Sequence, residues 1–324
     1  MKQQQFEQRH RADWAALEAQ LTALEAGTAD ADTADLPARY RRACQHLALA
    51  TDRHYGPGLV AYLRQLVLRS HQHLYRGRRR WLPWAAQFLL VELPHTLRRE
   101  WRLLGLAGAL LFLPALVMGL ACYLDGDLVY SLLDPRQVAR MEAMYDPANR
   151  HLGRDEEREA ASDFLMFGFY IRNNTGIGFR TFAGGMLFGL GTVVTLGFNG
   201  LYLGAVGGHL TRVGYSDTFW PFVAGHGAFE FTAILVSATA GLQLARALYA
   251  PGRRGRVGAL HATAPAAITL IVGAALLFVL AAFVEAFWSS RGNLPPGTKY
   301  AVAAGLWLLV IGYFAFSGRA RRGS

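Results

Sequence analysis

His226-Gly227-Ala228-Phe229-Glu230 sets an imidazole and a carboxylate four residues apart in an apolar stretch. On a helix that spacing puts both side chains on one face. Gly225 and Gly227 leave room beside them for a close neighbour. Three chemistries fit. A structural His–Glu hydrogen bond facing other helices is the first. A proton or ion relay is the second, because histidine titrates near neutral pH and burial raises a carboxylate toward it. A zinc hydrolase is the third, but a HExxH helix carries two histidines and here the second is missing. His209, Asp217 and Glu285 could supplement ligands, yet the spacing requires none of them, so no metal and no cofactor is assigned. Glu285, in FVEAFW near the end of its span, reads as an interfacial or paired charge.

Asn173–Asn174 interrupts a second apolar run and precedes Thr-Gly-Ile-Gly. Asparagine caps helix N-termini and bonds between membrane helices; alternatively the amides line a polar cavity. Asn199 poses the same choice. Around them, Gly185/Gly189 and Gly200/Gly204/Gly208 form small-xxx-small patterns, which let helix backbones approach closely within one chain or across a dimer. A phosphate loop is excluded by the missing lysine and the membrane setting.

These residues need elements that can hold them inside a bilayer. Hydrophobic residues make up 52% of the 324, mean hydropathy is +0.18, and the apolar residues are bunched into long runs. That pattern indicates an integral membrane protein. The net charge of +10 is nearly all arginine and lies mainly beside the apolar runs, where it sets orientation rather than binding nucleic acid. Arg78, Arg79 and Arg80 abut Trp81 and Trp84, a pairing that suits anionic lipid at the interface. Cys44 and Cys122 fall in a soluble and a membrane helix, so no disulfide and no zinc pattern is expected. The polar first 35 residues give no cleavable signal peptide, and the span from Trp101 serves as an uncleaved insertion signal.

Taken in order, residues 1–100 form a cytoplasmic domain of amphipathic helices. Trp14, Leu17, Leu21 and Leu24 share one face of the first helix, further helices cover residues 36–52 and 58–75, and another around 87–99 lies along the inner membrane surface. Residues 101–124 are the first transmembrane helix, with Pro114 as its kink. The acidic segment 125–163 lies outside, with Met141, Met144 and Tyr145 on the buried side of a short helix. Residues 164–318 form a glycine-rich bundle, and 319–324 a cytoplasmic tail. The charges put residues 163 and 218 on the same side, so an even number of crossings separates them. Yet Thr181–Phe198 is the one run of conventional length there. Phe164–Gly178 and Leu201–Gly214 would each reach only about 22 Å as helix against a core of about 30 Å. Two arrangements satisfy this: a long tilted helix with a short polar-tipped one, or broken helices meeting inside the membrane.

Asn173–Asn174, the glycine-rich span, Asn199–Gly200 with Gly204, then His226–Gly227 and Glu230 resemble the signature of the stage II sporulation protein M family. The resemblance is clearest from about Phe164 to Gly241, and departs at Ala224–Gly225, where many members place a proline. Tyr40-Arg41-Arg42, Leu66-Val67-Leu68-Arg69-Ser70-His71 and Leu74-Tyr75 look like the longer members of non-sporulating, often Gram-negative bacteria. The resemblance implies a multi-pass inner-membrane protein that is not itself catalytic. In spore formers the member works with two partners in a complex that remodels peptidoglycan, and longer members are often encoded beside MoxR-type AAA ATPases.

The expectation is therefore an all-α polytopic bundle of about five or six membrane segments, some broken or re-entrant, behind a cytoplasmic helical domain. Both termini are cytoplasmic. Function is first a non-enzymatic scaffold of an envelope complex, second a channel or transporter built on Asn173, Asn174, Asn199, His226 and Glu230, third an intramembrane metal hydrolase. Expected partners are membrane lipid, a second copy through the glycine faces, envelope proteins and a MoxR-type ATPase.

Overall fold

The structure, a computed structural model, describes residues 2–26, 35–75, 81–148 and 160–319, which are mostly helical with no strand among them. Arg78, Arg79, Arg80, the side chain of Trp81, the acidic run at 155–157 and most of the 27–35 linker lie outside the described residues. Trp84 is exposed. Cys44 and Cys122 are both free. The chain divides into two compact units, residues 1–84 and 85–324.

In the first unit, α1 (Gln3–Glu25), α2 (Leu36–Asp52) and α3 (Pro57–Tyr75) close on a core of Phe6, Trp14, Leu17, Leu21, Leu63 and Leu66. The predicted stripe of α1 is that core, with Leu24 at its edge. Gln3 Oε1 accepts the Gly56 amide at 2.8 Å across the break between α2 and α3. The indole of Trp14 donates to His46 Nδ1 at 3.0 Å, which requires an unprotonated Nδ1. Burial, and then the charge of neighbouring His10, push the His46 imidazole below its ordinary range. A base depressed in this way stabilises the fold above its unfolded value of about 6.5, and that stability is lost as pH falls through it. Acidification from about pH 7 to about pH 5 is thus expected to loosen this unit, read as faster amide exchange in residues 3–75 after correction for intrinsic rates. His46→Gln should flatten the response; an unchanged wild-type profile would contradict the assignment.

The second unit is a bundle. Five helices are long and apolar enough to cross a membrane: α6 (Trp101–Leu124), α9 (Leu190–Arg212), α10 (Ser216–Tyr249), α11 (Gly255–Val284, prolonged by a π turn over Glu285–Ser289) and α12 (Pro296–Phe316). We read α8 (Ala160–Ala183) as a sixth. Arg172, Asn173, Asn174 and Arg180 lower its hydropathy, but it has 24 residues and packs on α9, α10 and α11. Six crossings return the end of α12 to the side where α6 starts.

The crossing problem resolves differently from either arrangement expected. The 24 residues of α8 and the 23 of α9 reach about 36 and 34 Å, enough for two complete crossings. Neither helix breaks at an asparagine. The chain instead turns at Gly184–Gly189, inside the run Thr181–Phe198 that hydropathy marks as one span. Phe188 and Gly189 adopt positive φ, 54° and 86°. Thr192 Oγ1 donates to Thr181 O at 2.7 Å across the turn, and a Cβ on Gly185 would strike the backbone of Gly241 in α10. Gly185 and Gly189 are therefore turn residues rather than a pair along a helix.

Gly200, Gly204 and Gly208 do form a helix-packing stripe, and it lies inside the protomer. They meet Leu111, Ala115 and Gly119 of α6 backbone to backbone. The other face of α6 exposes Leu113, Leu116, Val117 and Leu120, as lipid contact demands. A dimer through the glycine stripe thus loses its surface. Arg212 donates to the Tyr123 and Leu124 carbonyls at 2.8 and 2.7 Å, satisfying the end of α6. At the other end of the bundle, α5 (Leu93–Arg99), which follows α4 (Trp81–Gln87) and a π turn, buries Leu93 and Leu97, and Arg98 caps α12 through the Phe314 carbonyl at 2.7 Å. Helix α10 is central, its small residues Ala228, Ala233, Ala238 and Ala240 packing into one core with Leu270, Ala274 and Phe278 of α11. Outside the spans, α7 (Pro135–Tyr145) starts with an Asp134–Gln137 capping box. It turns Met141, Met144 and Tyr145 inward, the side expected, and is tied to α9 by Glu142 and His209 at 2.7 Å.

Candidate functional site

Three helices deliver the polar groups. On α10, His226 and Glu230 share a face, with Nε2 to Oε2 at 3.6 Å. At the end of α11 the π turn, a local widening frequent at functional sites, points Glu285 and Ser289 toward them. Ser289 Oγ lies 3.2 Å from His226 Nδ1. On α8, Asn173 donates to Asn174 at 3.0 Å, and Asn174 Nδ2 donates to Glu285 Oε2 at 3.4 Å. The ligand atoms of His226, Glu230 and Glu285 all lie within 4.8 Å of one another. Lys299 of α12, itself buried, donates to the Ser289 carbonyl at 2.9 Å and fixes the turn.

His226, Glu230, Glu285, Asn173 and Asn174 border a cavity of about 970 Å³ between α8 and α9, which touch at their shared turn. Its floor is α10, and α7 contributes Arg140 and Tyr145. Phe169, Val194 and Phe198 line it yet stay exposed on the bundle surface, where hydrocarbon would lie. Asn174, His226 and Glu285 are buried, while Glu230 keeps some exposure, and all four line the cavity. Burial, with the nearby carboxylates of Glu285 and Glu230, holds the Tyr145 phenol protonated far above its usual range.

Of the residues picked from sequence, the structure brings together Asn174, His226 and Glu230, with Asn173 bonded to Asn174. Asn199 lines the cavity but bonds locally, donating to Thr195 O at 2.7 Å. The asparagine pair sits inside α8 and caps nothing, which removes the capping role. Glu285 is the paired charge of the two readings, bonded to Asn174. It is 8% exposed and belongs to the cluster. A carboxylate alone in a long apolar helix was the available signal, and the missing piece was the antiparallel pairing of α10 and α11, which brings Glu285 level with Glu230.

The arrangement can do two things. Two carboxylates, one buried and one partly so, and an imidazole can share and pass protons, and the same three side chains offer three ligand atoms for a cation, with the cavity on their open side.

The family profile described as Stage II sporulation protein M matches residues 108–290, and one described as Domain of unknown function (DUF8413) matches residues 4–76. No curated protein and no solved structure matches the chain. The first match takes in the α6–α9 glycine seam, the asparagine pair and all of His226, Glu230 and Glu285, over more than half of the 324 residues, and the chain belongs to the stage II sporulation protein M family.

Proposed function

We propose that the chain is a carrier-type membrane protein that takes a small cation, the proton included, at His226, Glu230 and Glu285. The observation that carries this reading is the cavity of about 970 Å³ into which those groups open. A buried carboxylate costs several kcal/mol unless paired, and such groups in membrane helices mark ion and proton pathways. A bundle serving only as structural glue would pack dry around them. The test is access from both sides. In a Cys44→Ser, Cys122→Ala background, Asn199→Cys on the cavity wall should react in proteoliposomes with a membrane-impermeant thiol reagent added on either side. Labelling from neither side, with the protein folded, contradicts a carrier.

The scaffold reading draws support from a different feature. Residues 1–84 form a separate helical unit with its own core and an arginine-rich sequence, suited to docking an envelope partner or a MoxR-type ATPase. A second copy of the chain would need a face other than the glycine stripe. Arginines at 98, 99, 102, 246, 253, 254 and 256 support cytoplasmic termini in an inner membrane. A metal hydrolase would spend both carboxylates of the cluster as ligands, leaving neither as general base, so the non-enzymatic reading is kept.

A further inference from the structure

We propose that His226, Glu230 and Glu285 form a binding site for a divalent transition-metal ion of the zinc class, held by one imidazole nitrogen and two carboxylates. Three observations converge. The first is ligand geometry. Ligands about 2.0–2.2 Å from a tetrahedral zinc lie about 3.4 Å apart, and His226 Nε2 and Glu230 Oε2 already stand at 3.6 Å. Every pair among the three lies within 4.8 Å, a span that carboxylate rotation closes. The second is the free end of the histidine. His226 is 5% exposed, its Nδ1 is engaged by Ser289, and its Nε2 stands 3.6 Å from Glu230 Oε2, beyond hydrogen-bond reach. An imidazole held by one nitrogen and presenting the other is how proteins orient a metal ligand.

The third is the outer shell and the charge. Asn174, itself steadied by Asn173, donates to Glu285, and Lys299 fixes the turn that carries Ser289. Thus two of the three ligands have a partner that sets their direction. Two carboxylates that give up their protons on binding would supply two negative charges for a dication to cancel, and neither carboxylate contacts a described Lys or Arg within ion-pair distance. The mixed nitrogen and oxygen donor set suits Zn²⁺ or Mn²⁺ over Mg²⁺ or Ca²⁺, which prefer oxygen alone. A fourth position faces the cavity, open to water or a cavity-bound group.

The site goes beyond the carrier reading. Metal held but never moved would refute the carrier and leave the site standing, and flux without metal uptake would do the reverse. The test uses the full chain in detergent, stripped by a chelator, titrated with Zn²⁺ and desalted, with bound metal counted by elemental mass spectrometry. Wild type should retain a single equivalent. His226→Asn, Glu230→Gln and Glu285→Gln should each weaken binding at least about tenfold, while His261→Asn, at an exposed histidine of α11, should not. Co²⁺ gives a reading that depends on no variant, since its visible spectrum reports nitrogen and oxygen donors in a low-coordinate site. Equal Zn²⁺ retention by wild type and all three variants, or no uptake of Zn²⁺ or Mn²⁺ by folded wild type, overturns the proposal.

Discussion

Gly204→Ala is expected to destabilise the bundle sharply, and Gly197→Ala, seven residues earlier on the same helix, to leave it unharmed or slightly firmer. At Gly204 the added methyl would fall onto the Ala115 carbonyl oxygen and stand 2.8 Å from the Gly119 amide nitrogen, both backbone atoms of α6 that cannot swing aside. The two helices must separate along the whole seam, because Gly200 and Gly208 make the same kind of approach one turn to either side. Overpacking of a close-packed interior costs about 1–3 kcal/mol when side chains can yield, and here the obstacle is main chain, so about 3 kcal/mol or more is expected. At Gly197 nothing lies within 4 Å of the added Cβ. There the intrinsic helix preference for alanine, up to about 1 kcal/mol in soluble helices, acts alone. Thermal unfolding in detergent reads both, and equal midpoints for the two variants would mean that α6 and α9 do not meet along this stripe.

Why part of this was legible in the sequence follows from the range of the signals. The α1 stripe of Trp14, Leu17 and Leu21 and the long run of α6 are local patterns, and both stand as read. The spacing of Gly200, Gly204 and Gly208 revealed a close-packing face, though not its partner, because the facing residues of α6 lie about ninety positions upstream and equal spacing serves a dimer as well. The turn at Gly184–Gly189 was hidden, since Met186, Leu187 and Phe188 keep hydropathy high straight through it. Its backbone cue, a left-handed Phe188–Gly189, leaves no mark on an apolarity scan. Asn173 and Asn174 read as a cap with bonds between helices, or as amides lining a cavity; the bond between helices and the cavity hold, and only the cap falls, because α8 begins upstream in polar sequence. Glu285 reads from sequence as an interfacial or paired charge, with its partner unnamed. Only the pairing of α10 with α11 and the π turn at its end bring it to Glu230, a coincidence of depth between residues 55 positions apart.

Glu230→Gln is the substitution with the largest expected effect on function. The carboxylate lines the cavity, stands 3.6 Å from His226 and accepts no hydrogen bond from the described residues, so the fold does not depend on it for satisfaction. Glutamine keeps its shape and removes its charge and its proton-exchange chemistry, so the variant should fold like wild type and lose what the charge does. The measurement is proton and cation flux in proteoliposomes of purified protein, wild type beside Glu230→Gln, with folding checked by size exclusion and helical signal. The carrier account predicts flux of at least one cation, protons included, in wild type and its loss in the variant. Flux that is absent across protons, Na⁺, K⁺ and Zn²⁺ in folded wild type, or unchanged in Glu230→Gln, would contradict it, and the cluster would then be binding or structural chemistry within a scaffold.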